Sequence, residues 1–215
     1  SPGPALRDKA DHLCKNANMW RMTGDFWDLW EHLYVMFDKC EEWQGVRKTG
    51  NYPDCDMLPI GRISKLCSYH GKQNRMSNFT KPEHYTLMSL WGIFGSPLFI
   101  GGNMPENDEF TLSLLTNSDY MQMQRESADP HCIAREEKNN KGYIIWASHG
   151  KNCKYLAVFN TDTKAKKIKA DLTQILMPNT EYTVYDIWQK QTIGSAKNSL
   201  TLEVESHGAR LIKLQ

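Results

Sequence analysis

The sequence has almost no net charge. Its 215 residues carry 26 Lys and Arg against 25 Asp and Glu, a formal net charge of +1. A nucleic-acid partner calls for a basic face, so the composition argues against one. An apolar run of membrane-spanning length is also missing. The longest, Leu87 to Gly102, is interrupted by Ser89, Gly92, Gly95, Ser96 and Pro97, which makes it too short and too broken to cross a bilayer. The six cysteines (Cys14, Cys40, Cys55, Cys67, Cys132 and Cys153) form no Cys-x-x-Cys pair, and the seven histidines form no His-x-x-x-His pair. Zinc and thioredoxin-type chemistry are therefore not expected, and neither metal nor cofactor is called for. Scattered buried thiols are the plainer reading of the cysteines, although an even count also permits bridges in an oxidising compartment. Internal repeats and low-complexity tracts are absent. The opening Ser1-Pro2-Gly3-Pro4 has neither an initiator Met nor a signal segment. It reads as a loop leading into a helix, so the chain is expected to be a piece of something longer.

What is present is an apolar fraction of 40%, enough for a real core, with seven Trp and nine Tyr. Flat apolar ligands such as sugar rings are gripped by such residues, and large cores also use them. Residues 1–130 alternate helical spacing with short apolar stretches. Leu6, Ala10, Leu13, Cys14 and Ala17 follow a helical period, and Met19-Trp20-Arg21-Met22-Thr23 reads as a strand. A long helix is expected from Asp25, with Phe26, Leu29, Trp30, Leu33, Phe37 and Cys40 on one face. Thr80-Lys81-Pro82-Glu83 is a capping box with Pro in the first turn, so a helix starts there. "LFIGG" reads as a strand and "DEFTLSLLTNSDYMQMQ" as a helix. Such alternation predicts a parallel sheet covered by helices. After Asp129-Pro130 the texture changes. "GYIIWASH", "KYLAVFNT", "KKIKADLT", "YTVYDIW", "SLTLEVESH" and "ARLIKL" are strand candidates with turn residues between them, as in an antiparallel sandwich or barrel. A domain boundary is therefore expected near residue 130, giving domains 1–130 and 131–215.

Candidate chemistry gathers at two strand ends. Arg21 and Asp25 follow the first strand, and Asp54 and Asp56 lie in the Asp54-Cys55-Asp56 cluster before "MLPIG". In parallel α/β sheets ligands bind beyond the carboxyl ends of the strands. Glycoside hydrolysis uses two carboxyl groups across one bond, an arginine offers fixed donors to sugar hydroxyls, and a tryptophan supplies a flat wall. The plainer alternatives are an N-cap role for Asp25, with Arg21 as its partner, and turn-stabilising roles for Asp54 and Asp56.

The order of these motifs resembles that of the melibiase-type α-galactosidases, glycoside hydrolase family 27. "WRMTGDFWDLW" is similar to the family's Trp-Arg-x-x-x-Asp-x-x-Asp-x-Trp segment and "PDCDMLPIG" to its Asn-Asp-Pro-Asp-Met-Leu-x-x-Gly segment. "HYTLMSLWGIFGSPLFIGG", "TNSDYMQMQRESADP", "YDIWQKQTIG" and "VESHGARLIKL" match later segments in the right order. The resemblance implies the second half of a (β/α)8 TIM barrel (an α/β fold) followed by an antiparallel β-sandwich. It implies a retaining glycosidase acting on terminal α-galactosides, with Asp25 as acid/base. Arg21, Asp56, Met57 and Trp20 would line the sugar site, while Asp28, also matched, is read as structural. The partners implied are a carbohydrate substrate and the missing N-terminal half of the barrel, with no nucleic acid and no membrane. The location implied is secreted or periplasmic. The pattern is departed from at three places. The Lys-Tyr-x-Asp-type segment that carries the nucleophile is not in this chain. Cys55 replaces a Pro, and Tyr52-Pro53 replaces Trp-Asn. Gly3-Pro4-Ala5 stands where the family reads the substituent on the second sugar carbon. An α-N-acetylgalactosaminide or another α-glycoside is therefore an alternative substrate, and a non-catalytic carbohydrate-binding module or an inactive fragment an alternative role.

Overall fold

The computed structural model describes residues 3–63 and 74–215. Cys67 lies outside them. In chain order, after a short 3-10 turn, the elements are α1 (Ala10–Asn16), β1 (Met19–Arg21), α2 (Trp30–Trp43), β2 (Tyr52–Asp54), α3 (Lys81–Phe94), α4 (Glu109–Leu115) and α5 (Ser118–Glu126). Then come β3 (Ala128–Lys138), β4 (Lys141–His149), β5 (Lys154–Asn160), β6 (Lys166–Asp171), β7 (Tyr182–Asp186), β8 (Gln191–Ala196), β9 (Ser199–Val204) and β10 (Ala209–Leu214). Packing divides the chain into two compact units. One holds residues 1–80 and 96–117, the other 81–95 and 118–215, so α3 and α5 group with the strands.

In the first unit β1 and β2 pair in parallel, with Met19, Trp20 and Arg21 opposite Tyr52, Pro53 and Asp54. The connection between them is α2, which makes a β-α-β unit. Its buried residues Leu33, Met36, Phe37, Cys40 and Trp43 recur at helical spacing, and Trp43 meets the fully buried Trp20 with ring centroids 5.9 Å apart. Beyond β2, Leu58 forms a parallel bridge to Ile100. On the other side of β1 the Ala5 N–H donates to the Arg21 carbonyl at 2.8 Å. "LFIGG" thus contributes isolated bridges rather than a continuous strand.

The long helix begins at Trp30, not at Asp25, and Asp25 is not its cap. The N-cap residue is Leu29, whose side chain makes no capping bond. Instead the Trp27 N–H donates to His32 Nδ1 at 3.1 Å. The turn from Met22 to Leu29 stays out of the helix because Asp28 is drawn into the interior. Its side chain has no exposure and forms a two-pronged ion pair with Arg75, one arm of which is 3.0 Å, while the Asn78 N–H donates to it at 2.6 Å. Asp28 therefore ties the turn after β1 to the segment from Arg75 to Asn78. It precedes the helix rather than sitting on it.

In the second unit β3-β4-β5-β10-β7-β8 form a six-stranded sheet, and β6-β9 form a two-stranded one. Every pairing among these strands is antiparallel. β4 and β5 do not alternate apolar with polar residues, since both faces of the large sheet are covered. Ile145, Ala147, Leu156, Val158 and Ile212 face a cluster completed by Ile168 and Ala170 of β6 and Leu202 and Val204 of β9. On the other face α3 packs against β5 and β10, with Phe94 edge-on to Trp146 at 6.2 Å. α3 starts at Lys81 with Pro82 in its first turn, as the capping box predicts. Gly92 of α3 is required by close packing: a Cβ there would lie 2.6 Å from the Tyr120 ring of α5. The buried Asn160 side chain donates to the carbonyls of Lys164, Val204 and Glu205 at 2.8–3.1 Å, pinning the end of β5 to the end of β9. The segment expected as one helix after Glu109 is two, α4 and α5, broken at Thr116-Asn117. β3 and β8 were not anticipated. β3 carries register shifts and is mostly half-exposed, and β8 contains Gly194 at φ 141°.

Because Asp28 is buried and Arg75 nearly so, removing one partner strands a charge, which costs about 3–5 kcal/mol. Arg75→Met is expected to lower the unfolding free energy by about that much in urea titrations. A loss of a few tenths would show that water already reaches Asp28.

Candidate functional site

The site grows from the β1–β2 pair. Parallel pairing puts Arg21 opposite Asp54, so the segments leaving the two strands start side by side, and each carries acidic residues. Asp25 follows β1, and Asp56 follows β2. The Arg21 guanidinium lies between them: Nη2 is 3.3 Å from Asp25 Oδ1 and 3.0 Å from Asp56 Oδ2. The two carboxylates differ sharply in exposure. The Asp25 side chain is 80% exposed, that of Asp56 13%. Asp56 also accepts the Phe26 N–H at 2.8 Å, so the turn after β1 is held from β2 by the carboxylate that holds Arg21.

Asp56 has φ 80°, a left-handed conformation unusual for a residue with a side chain and worth about 1–3 kcal/mol of strain. Its own N–H donates to Asp54 Oδ1 at 2.9 Å. Asp54 is buried. Burial pushes its carboxyl above the usual range, opposed by the Asp56 N–H and by Arg21, and reinforced by the Asp56 charge. Between them, the Cys55 N–H donates to Ser96 Oγ at 3.0 Å. The Cys55 thiol faces Cys40 at 3.8 Å, and burial pushes the Cys40 thiol well up. Cys14, Cys40, Cys55, Cys132 and Cys153 are free thiols.

The residues expected at a sugar site are partly brought together. Arg21, Asp25 and Asp56 form one contiguous group. Met57 is half-buried and lies over Gly101, where a Cβ would be 2.6 Å from its sulfur. Trp20 does not form an exposed wall, because its ring is fully buried against Trp43. Two contributions escaped the sequence reading: the Phe26 N–H that orients Asp56, and the Asp28–Arg75 tie that shapes the turn carrying Asp25. A backbone donor leaves no mark in sequence, and Arg75 is distant from Asp28 along the chain. Chemically the group offers one accessible carboxylate, Asp25, beside a fixed cation. The second carboxylate is committed to holding that cation. Among the described residues, no group of three or more His, Cys, Asp and Glu side chains is placed to hold a metal ion.

The family described as the alpha galactosidase C-terminal beta sandwich domain matches residues 140–214. Alpha-galactosidase D of Emericella nidulans is 27% identical over 196 residues, covering 91% of this chain and 28% of that protein. Among solved structures, a GH27 β-L-arabinopyranosidase from Geobacillus stearothermophilus is 40% identical with a TM-score of 0.93, over 100% of this chain and 48% of that one. A putative α-N-acetylgalactosaminidase from Bacillus halodurans is 35% identical with a TM-score of 0.80, over 100% of this chain and 48% of that one. The chain therefore spans just under half of each of these solved chains and about a quarter of the fungal relative.

The elevated Asp54 carboxyl sets a pH dependence. The folded state holds the Asp54 proton to higher pH than the unfolded state, whose pKa is about 4. Between those two values the folded state binds more protons, so this group's contribution falls as pH rises through the window. Asp54→Asn keeps an oxygen for the Asp56 N–H. Urea midpoints measured across this pH range should fall less steeply for D54N than for the unaltered protein. Parallel curves would place the effect elsewhere.

Proposed function

For a chain that carries the C-terminal region of an α-galactosidase-type member of glycoside hydrolase family 27, we propose a place in a retaining glycosidase, with Asp25 as its acid/base. The observation that supports this reading is the exposed Asp25 carboxylate held beside Arg21 at the carboxyl end of a parallel strand, with Asp56 on the adjacent one. In this role Asp25 protonates the leaving oxygen and then takes a proton from the attacking water. Arg21 donates to sugar hydroxyls, and Asp56 fixes its direction. Met57 lines the pocket, and Trp20 supports Arg21 from the core.

A retaining mechanism needs a second carboxyl group about 5–5.5 Å from the first. Asp56, bound to Arg21 and the Phe26 N–H, is not free for that task. The proposal therefore assigns the nucleophile to a barrel half outside these residues. In this proposal β1, β2 and the segment bridged at Leu58–Ile100 are consecutive strands of a (β/α)8 barrel that the other half closes. Residues 1–130 are then barrel and 131–215 the β-sandwich domain. The exposure of Leu6 (65%), Phe99 (48%) and Met104 (60%) fits a unit made to be covered. The enzyme would act on carbohydrate outside the cytoplasm.

For the substrate, terminal α-galactosides are the first reading. A β-L-arabinopyranoside is the second, favoured by the 40% identity to the Geobacillus enzyme. The two sugars share ring stereochemistry and differ by the hydroxymethyl group on the fifth carbon, so one acid/base serves either.

The test uses the chain joined to its N-terminal half. Asp25→Asn is expected to lower disaccharide turnover by about 100-fold or more, and to spare kcat/KM for an aryl glycoside whose leaving group needs no proton, while the aryl kcat still falls because the attacking water has lost its base. Unchanged disaccharide turnover would remove Asp25 from the mechanism. In the unaltered enzyme, the kcat/KM ratio for aryl α-galactoside over aryl β-L-arabinopyranoside decides the sugar. A protein that binds sugar and turns over neither would be a binding module.

A further inference from the structure

The second unit contains a cavity of about 300 Å³ that the proposed chemistry does not use. It lies between the first turns of α3 and the ends of β7, β9 and β10, and its walls are of two kinds. Tyr85 of α3 and Trp188, just past β7, form an aromatic wall with ring centroids 5.3 Å apart. The indole is locked from behind: Trp188 stacks on Tyr120 at 5.1 Å, and its Nε1 donates to Ser89 Oγ at 2.9 Å. Arg210 also lines the cavity, and its Nε donates to the fully buried Asp186 at 2.5 Å. Asp186 also accepts the Gln189 N–H at 2.8 Å, and Arg210 Nη2 lies 3.4 Å from the Gln189 side-chain oxygen. Arg210 and Asp186 are thus fixed before any ligand arrives, and so is the Trp188 ring.

The charges on the lining decide the ligand class. Lys81 and Arg210 bring two positive charges, and Asp186, Glu203 and Glu205 bring three negative ones. An anion meets net repulsion, and a purely apolar molecule would take charged groups out of water and return no hydrogen bond. A neutral molecule with a ring face and many hydroxyls satisfies both walls, because stacking uses the aromatic surface and the hydroxyls meet donors and acceptors alternately. Burial, with Asp186 and Glu205 nearby, raises the Tyr85 phenol, so it stays protonated as one more donor. The volume is at the lower end for small-molecule sites, which suits a sugar ring or two.

We propose that this cavity is a carbohydrate-binding subsite for a neutral pyranose, carried by the second compact unit and built independently of the Asp25 site. The test is made on the whole chain by saturation-transfer NMR and tryptophan fluorescence, with methyl α-D-galactopyranoside and methyl β-L-arabinopyranoside as probes. Arg21→Met disables the other site and is the background throughout. On it, at least one probe is expected to bind saturably. Adding Tyr85→Ala should weaken that binding at least tenfold, and adding Gln189→Ala, an exposed side chain whose loss leaves the fold intact, at least threefold at unchanged Tm. If Y85A does not fold, Q189A decides alone. The proposal is overturned if R21M binds neither probe, if the added variants bind as R21M does, or if D-galacturonate binds R21M more tightly than the neutral probes.

Discussion

The parallel pairing of β1 with β2 is the constraint on which the candidate site depends. Arg21 faces Asp54 across that pair, so whatever follows each strand emerges on the same side. Trp20, between Met19 and Arg21, anchors β1 by burying its ring against Trp43 at the far end of α2. The indole and the guanidinium are adjacent residues on opposite faces of one short strand. One face is core and the other is chemistry. That is why a stretch with Trp20, Arg21, Asp25 and Asp28 is neither wholly interior nor wholly surface: each of its charged groups has a different neighbour. Asp28 goes in with Arg75, Asp25 stays out, and Arg21 lies between.

Much of this was legible in sequence. Strand candidates from "GYIIWASH" to "ARLIKL" correspond to real strands, since runs of Ile, Val, Leu and Tyr between turn residues have few other uses. The two acidic clusters were placed correctly because residues just past parallel strands are positioned by topology, whatever their side chains do. Less legible was everything decided at long range. Helical periodicity from Phe26 onward suggested a helix from Asp25, but the burial of Asp28 with Arg75 outweighs local propensity and delays it to Trp30. β3 was hidden by its half-exposed pattern, and β8 by a glycine. Trp20 was expected to face a ligand, and composition could not distinguish an indole in a wall from one in a core.

The six-stranded sheet shows the same logic in reverse. Its central strands look like featureless apolar runs, which periodicity alone cannot assign. They are apolar on both faces because α3 covers one and the β6–β9 pair covers the other. α3 is itself buried nearly all round, from Thr86 to Phe94, and so lost the amphipathic signature that usually marks a helix. Sequence reading placed α3 by its capping box rather than by its face. Its close packing against α5 rests on Gly92, which admits the Tyr120 ring.

The division of labour between Asp25 and Asp56 follows from Arg21 being shared. A guanidinium can satisfy two carboxylates at once, but burial decides which of them is chemically available. Asp56 is largely buried, holds Arg21, receives the Phe26 N–H and occupies a strained backbone conformation, so moving it would break both contacts. Asp25 has a longer contact to Arg21 and an exposed side chain, so it is open to a partner from solvent. That asymmetry is what the proposed acid/base role of Asp25 rests on, and it says nothing of the substrate. The hydroxymethyl group that separates a galactoside from an arabinopyranoside is two ring atoms from the bond being broken. Nothing in the Arg21–Asp25–Asp56 group needs to change with it. In the proposed glycosidase, reaction class and sugar identity would therefore rest on different residues.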